Sequence, residues 1–277
     1  MAESNDEVAL ITSTRNPLIK RVRELRRRET RIEAGMIVIE GLRAVIEAVR
    51  AHIVIASLLY APDRLRSTLA HATLADVRAA GTVITPVDAE ILDSLSERES
   101  SQGIIAIARR PEATAARIPT TGTPLVVAIF EPQDPGNVGT IMRTADGAGA
   151  AAVAAFGTKG VDLFDPKAIR SSMGSIFALP VIDLGATSMA VAALHSRGLT
   201  LIGTSDKGAV DLWDAPLRGP VAILMGNERA GLSDDALAAC DVVARIPLVG
   251  HADSLNVAAA ASIFLFEAVR QRQANRT

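Results

Sequence analysis

The residues of this 277-residue chain best suited to chemistry lie in three short stretches of its second half. They are Asn137-Val138-Gly139-Thr140-Ile141-Met142-Arg143, then Gly226-Asn227-Glu228-Arg229-Ala230-Gly231, then Ile246-Pro247-Leu248 with Ser254-Leu255-Asn256 close behind. Arg143 is a permanent cation, so it can grip a phosphate or stabilise a developing oxyanion but is a poor general base. Glu228 can steady a bound cation, hold Arg143, or form a plain surface pair with Arg229 or Arg245. Asn137 either organises a site or caps the helix it opens, and Ser254 is placed to cap the last helix. Gly226 and Gly231, after a buried strand, permit close backbone approach to a ligand. The backbone at 246–248, flanked by apolar side chains, suits a flat ring. None of these residues declares itself the general base. His52, His71, His195 and His251 are scattered without metal-ligand spacing. Cys240, the single cysteine, sits in an apolar helical pattern and reads as a buried structural thiol.

These stretches need a scaffold that brings them together. Continuous apolar runs at 125–130, 151–156, 199–204, 221–225 and 242–246 suit strands buried on both faces. Helices are expected at 137–149, 166–173, 188–197, 233–239 and 254–272. The alternation predicts an α/β domain with a mostly parallel sheet, helices on both faces, and ligands at the C-terminal edge of the strands. By pattern alone it is Rossmann-like. No G-x-G-x-x-G follows the first buried strand, which argues against a nucleotide-dependent dehydrogenase.

Residues 1–110 read as a separate small α/β domain, 111–123 as a linker rich in Pro, Thr and Gly, and 124–277 as the second domain. In the first half, strands are expected at 36–40, 53–60, 82–87 and 102–108, with helices at 41–48, 62–80 and 89–95. Ahead of them, 16–33 is a charged helix whose Leu18, Val22 and Leu25 form a buried stripe. Its Lys20, Arg21, Arg23, Arg26, Arg27, Arg28 and Arg31 are either a solvated face or phosphate contacts. Lys167, Arg170, Ser171 and Ser172 likewise read as a phosphate site or as a capped surface helix. A formal net charge of −2 argues against uniform coating of nucleic acid but leaves room for such patches. Aromatic residues, at 3%, leave few stacking platforms for bases. With no signal-peptide-like start and no apolar run of membrane-spanning length, a cytoplasmic protein is expected.

The three stretches have the forms N-x-G-x-x-x-R, G-x-E-x-x-G and I-P-(apolar) followed by S-L-N. In this order they resemble the motifs of the SpoU/TrmH family, knotted RNA 2′-O-ribose methyltransferases that use S-adenosylmethionine. The first half is similar to the RNA substrate-binding domain often fused to SpoU enzymes, through Val38-Ile39-Glu40-Gly41-Leu42-Arg43 and Ser101-Gln102-Gly103-Ile104. Residues 165–175 resemble the family's R-(A/S)-S-x-G-S stretch. The resemblance replaces the Rossmann-like sheet with one carrying a C-terminal trefoil knot. It implies methyl transfer to a ribose 2′-hydroxyl of structured RNA, ribosomal rather than transfer RNA, without a metal. It makes Asn137, Arg143, Glu228, Ser254 and Asn256 catalytic. It assigns Gly203, Thr204, Met225, Gly226, Gly231, Ile246, Leu248, Leu255 and Asn256 to the cofactor pocket. Arg26, Arg27, Arg28, Arg143, Arg170 and Ser171 become RNA contacts. Ala258 departs from the pattern, standing where many members carry Ser. The last helix has a broad face of Val257, Ala258, Ala260, Ala261, Phe264, Leu265 and Ala268, which with the resemblance implies a homodimer through the C-terminal domain. The alternatives are a tRNA 2′-O-methyltransferase and a noncatalytic RNA-binding or ribosome-assembly protein on the same fold.

Overall fold

The computed structural model describes residues 9–96 and 101–274. They divide into two compact units, Met1–Pro111 with Phe164–Phe177, and Glu112–Leu163 with Ala178–Thr277. The first unit therefore includes a short piece of chain drawn from the second half.

The first unit holds α1 (Pro17–Glu24), α2 (Arg28–Ala34), β1 (Met36–Glu40), α3 (Leu42–Arg50), β2 (Ile55–Tyr60), α4 (Thr68–Ala79), β3 (Val83–Pro86), α5 (Ala89–Leu95) and β4 (Ile104–Arg109). Its sheet runs β1-β4-β2-β3, with β4 antiparallel to both neighbours and β2 parallel to β3. The charged stretch at 16–33 is two short helices rather than one. The break frees the carbonyls of Leu25 and Arg26, and Arg31 Nη1 donates to both, at 3.2 and 2.6 Å. Arg31 is only 1% exposed and pairs with Asp165 at 3.2 Å, so this cation is structural rather than part of a solvated face. The buried stripe is Ile19, Val22 and Leu25. Gly35, at φ 60°, ends α2 in the left-handed region.

The second unit is built on β5 (Leu125–Phe130), α6 (Pro135–Gly147) and β6 (Ala152–Phe156). The chain then passes through α7 (Pro166–Ser171), which belongs to the first unit. It returns as β7 (Val181–Asp183), α8 (Thr187–Ser196), β8 (Thr200–Thr204), β9 (Val210–Asp211), β10 (Val221–Met225), α9 (Asp234–Ala238), β11 (Val242–Arg245) and α10 (Val257–Gln273). The sheet order is β7-β6-β5-β10-β8-β11-β9, and every pairing is parallel. Its centre reads Val126, Ala128, Ala154, Ala222 and Leu224, all essentially inaccessible. The edge strands β7 and β9 are too short to give a run in the sequence.

From β5 the chain moves outward through β6 and β7, then crosses to the other side and returns to pair β10 against β5. The order therefore reverses between β5 and β10. A crevice opens at such a reversal beyond the C-terminal ends of the strands, because successive connections diverge there. The loops leaving β5 and β10 border it.

Candidate active site

The turn after β10 carries Glu228. It is closed by Asn227 and Gly231, which exchange backbone bonds of 2.9 and 3.0 Å. A Cβ on Gly226 would lie 2.6 Å from the Gly231 carbonyl carbon, so the bare backbone at Gly226 makes room for this closure. The Glu228 carboxylate then reaches the loop after β5. It accepts from the Gln133 N–H at 3.0 Å, the Asp134 N–H at 3.1 Å and Asn137 Nδ2 at 3.2 Å. Asn137 Oδ1 accepts from Asn256 Nδ2 at 3.1 Å. Asn256 Oδ1 in turn accepts from the N–H groups of Ala258 and Ala259, at 2.9 and 3.3 Å.

The polarity of this chain is forced at both ends. An ionised carboxylate only accepts, and the first turn of a helix only donates. Both asparagine amides between them therefore have one permitted orientation. Burial of Glu228 opposes its ionisation. The bonds from its own backbone N–H, Asp134, Asn137 and Gln133 together outweigh that and hold the carboxyl below the ordinary glutamate range.

Two expected caps move. Asp134, not Asn137, caps α6, accepting from the Gly136 N–H at 2.9 Å. Asn137 lies inside the first turn, where its side chain is free to face Glu228. The last helix starts at Val257, not at 254, and Asn256 rather than Ser254 caps it. Ser254 is exposed in the loop before it. Helices α6 and α10 run side by side in the same direction, joined by Asn137–Asn256 at their starts and by Thr144–Ser262, 3.3 Å apart, two turns on. Both N-termini, and the positive ends of both helix dipoles, thus face the crevice.

Asn137, Glu228 and Asn256 are brought together, but Arg143 is not part of their network. It is exposed and makes no hydrogen bond or ion pair among the described residues. Six residues beyond Asn137, it sits about a third of a turn around the helix from it. Glu228 therefore does not hold Arg143, and Arg245 is taken by Asp211 at 2.6 Å.

The loop between β11 and α10 presents Leu248 and Leu255, 39% and 38% exposed, the latter next in sequence to Asn256, and Val249 is fully exposed. Thr204 Oγ1 donates to the Leu224 carbonyl at 2.9 Å, while Met225 and Gly203 are buried. A Cβ on Gly203 would lie 2.6 Å from Cys240 Sγ, so this glycine serves packing. Burial, reinforced by the charge of Asp241, pushes the Cys240 thiol up to about 11, which fits a structural thiol.

In the first unit, Arg27 and Arg28 are exposed. Arg26 and Arg170 each lie 3.7 Å from the buried Glu40 carboxylate. Ser171 Oγ donates to the Lys167 carbonyl at 2.7 Å, within its own helix. Among the described residues, no cluster of three or more His, Cys, Asp or Glu is placed to hold a metal. Sequence reasoning missed the Gln133 and Asp134 donors, because a backbone N–H has no residue type to read. It also passed over Asn227, though Asn in a tight turn is a readable signal.

Known families match both halves of the chain. The SpoU rRNA Methylase family matches residues 124–266, and the MRM3-like substrate binding domain matches residues 16–106. The chain is 36% identical to the 23S rRNA (uridine(2479)-2′-O)-methyltransferase of Streptomyces viridochromogenes, covering 90% of this chain and 88% of that one. It is 32% identical to the 23S rRNA (guanosine(2553)-2′-O)-methyltransferase RlmP of Bacillus subtilis, covering 92% and 97%. The crystal structure of the SpoU methyltransferase AviRb from S. viridochromogenes in complex with AdoMet superposes with a TM-score of 0.87 at 34% identity, covering 94% and 99%. The AdoMet-bound rRNA methyltransferase from Sinorhizobium meliloti does so at 0.86 and 33%, covering 95% and 98%. With the three stretches meeting at the sheet's reversal point and matches extending over both halves, the chain belongs to the SpoU rRNA methylase family.

Proposed function

We propose that this protein transfers the methyl group of S-adenosylmethionine to a ribose 2′-oxygen in 23S ribosomal RNA. The observation that carries the reading is the Glu228–Asn137–Asn256 chain, which fixes the loops after β5, β10 and β11 around one crevice. The residues there fit the cofactor. Leu248 and Leu255 offer exposed apolar walls for a flat base, and the ionised Glu228 favours a cationic sulfonium nearby. Ile246, Leu248, Leu255, Gly226 and Gly231 would line its pocket, with Gly203, Thr204 and Met225 behind them. Bound there, the cofactor supplies an electrophilic methyl carbon.

The protein's part is to place a ribose hydroxyl in line with that carbon and to exclude water. Oxygen gains the methyl, the sulfonium becomes a neutral thioether, and the hydroxyl proton leaves to water or an adjacent phosphate. Arg143 stabilises the developing alkoxide and holds a neighbouring phosphate, since it is never neutral enough to act as base. Its position around α6 from Asn137 favours its serving the site of a second copy. The α10 face expected to pair is already covered within the chain, with Val257, Ala258, Ala261, Phe264, Leu265 and Ala268 all buried, so it is no ground for a dimer. We read the protein as a homodimer through the second unit from the position of Arg143, together with the half-exposed Phe266 on α10. Arg26, Arg27, Arg28, Arg170 and Ser171 belong to a first-unit surface that receives folded RNA, with 1–110 as the substrate-binding domain, 111–123 as linker and 124–277 as the methyltransferase. A trefoil knot is supported by the close passage of Gly208, where a Cβ would lie 2.6 Å from the Ala244 carbonyl carbon. The protein works where ribosomes are assembled, in the cytoplasm; no described helix is long and apolar enough to cross a membrane.

The test is incubation with methyl-labelled S-adenosylmethionine and 23S rRNA transcripts, followed by alkaline hydrolysis. A methylated 2′-oxygen cannot attack its phosphate, so label is expected in alkali-resistant dinucleotides. Label only in mononucleotides, or none, would overturn the reading.

A further inference from the structure

Glu131, at the end of β5, is one of three described non-glycine residues with positive φ, at 42°. Left-handed backbone is unfavourable for a residue with a Cβ and persists where its surroundings over-determine it. The Glu131 N–H donates to the Phe156 carbonyl at 2.8 Å, and its carboxylate accepts from the Thr158 N–H at 3.0 Å. A Cβ on Gly157 would overlap the Glu131 side chain, so that glycine leaves it room. The Glu131 carbonyl, turned over by the positive φ, accepts from Asn227 Nδ2 at 2.7 Å and from Gln133 Nε2 at 2.9 Å.

Asn227 is occupied at both ends. Its Oδ1 accepts from the N–H groups of Arg229 and Ala230, at 3.0 and 3.1 Å, and so fixes its own amide orientation. Its Nδ2 spans from the β10 turn to the β5 loop. One residue further along the β10 turn, and two and three along the β5 loop, Glu228 meets the Gln133 and Asp134 N–H groups. The two contacts are adjacent rungs between the same two loops.

We propose that Asn227 is a positioning residue for methyl transfer. Its Nδ2 bond to the Glu131 carbonyl sets the β5 loop so that Gln133, Asp134 and Asn137 converge on Glu228. This rests on the methyltransferase reading for its kinetic arm only. Loss of the brace leaves the β10 turn intact but lets the β5 loop drift, lowering turnover more than binding.

The diagnostic variant is Asn227→Asp. It keeps an oxygen to cap Arg229 and Ala230 but turns a second oxygen toward the Glu131 carbonyl. The expected result is turnover reduced at least about tenfold near pH 8, with KM for RNA and S-adenosylhomocysteine affinity within about threefold of wild type. Exchange of the Gln133 and Asp134 amides should accelerate. The charged groups beside position 227 are Glu131, Glu228 and Arg229; the two carboxylates favour protonation of the new acid. Its O–H can then donate to the Glu131 carbonyl, so the deficit should narrow as pH falls toward about 5.5. Asn227→Ser keeps a turn acceptor, cannot span the gap, and should show the same turnover loss without acid rescue; it carries the test if the Asp variant does not fold. Wild-type turnover near pH 8 with unaltered exchange, or equal loss of turnover and cofactor affinity at every pH, would overturn the proposal. If wild-type protein methylates no RNA, the exchange measurement still decides whether the brace exists, and the failure belongs to the functional reading.

Discussion

At Asn256 one side chain does two jobs, and substitution separates them. Its oxygen caps a 17-residue helix and its nitrogen orients Asn137. Asn256→Ala loses both and should cost about 1 kcal/mol in urea denaturation as well as activity. Asn256→Asp keeps the cap but presents an oxygen to Asn137 Oδ1, so stability should stay near wild type while methyl transfer collapses. A variant that keeps activity would show that the Asn137 orientation does not matter. Glu228 gives a pH-dependent test. Its folded-state carboxyl lies below the ordinary value of 4.5 because its hydrogen bonds together outweigh the burial penalty. The stability it contributes is therefore complete above that value and is lost as pH falls through the folded one. Glu228→Gln should be less stable than wild type at neutral pH, and the gap in thermal midpoint should close in acid. A gap independent of pH would assign the loss to packing instead of charge.

Among the elements, the sheet's small residues decide how closely helices approach. Gly203 in β8 admits Cys240 Sγ, which also donates to the Ala236 carbonyl at 3.1 Å. Gly203→Ala should destabilise the protein by about 1–3 kcal/mol through overpacking. Adding Cys240→Ala should recover part of that, a coupling readable in a double-mutant cycle. Purely additive losses would mean the two do not share the space. The break between α1 and α2 sorts the N-terminal arginines by task. Arg31 is buried with Asp165, whereas Arg27 and Arg28 face solvent. Replacing Arg27 and Arg28 with Ala should weaken RNA binding and flatten its salt dependence while leaving cofactor affinity alone. An unchanged salt slope would reduce them to a solvated face.

For the whole molecule, the question is whether one chain holds a complete site. Arg143 makes no bond among the described residues and is turned away from Asn137 around α6. If it serves a second copy, sedimentation at micromolar concentration should report a dimer. Mixing Arg143→Ala with Asn256→Ala chains should then restore part of the activity, because one of the two sites in a mixed dimer has both residues. Full activity from a dilute monomer would sink this.

The sequence by itself determined the alternation of strands and helices, the buried parallel sheet and the three stretches that meet. Those features follow from local chemistry: apolar runs mark strands buried on both faces, and glycine, proline and capping residues mark where they end. It also carried the family, since Asn137, Glu228 and Asn256 stand in a recognisable order and the structure joins them into one chain of hydrogen bonds. What it left open were choices between partners. Whether Asn137 caps a helix or faces a carboxylate, and whether Glu228 pairs with an arginine or with backbone N–H groups, depend on loops 91 to 95 residues apart. Only the packed sheet sets that distance. The same holds for Arg31, whose sequence context is a cationic helix and whose partner, Asp165, lies 134 residues away. The strained Glu131 backbone and the edge strands of two and three residues leave no local trace, because tertiary contacts rather than residue preference hold them in place.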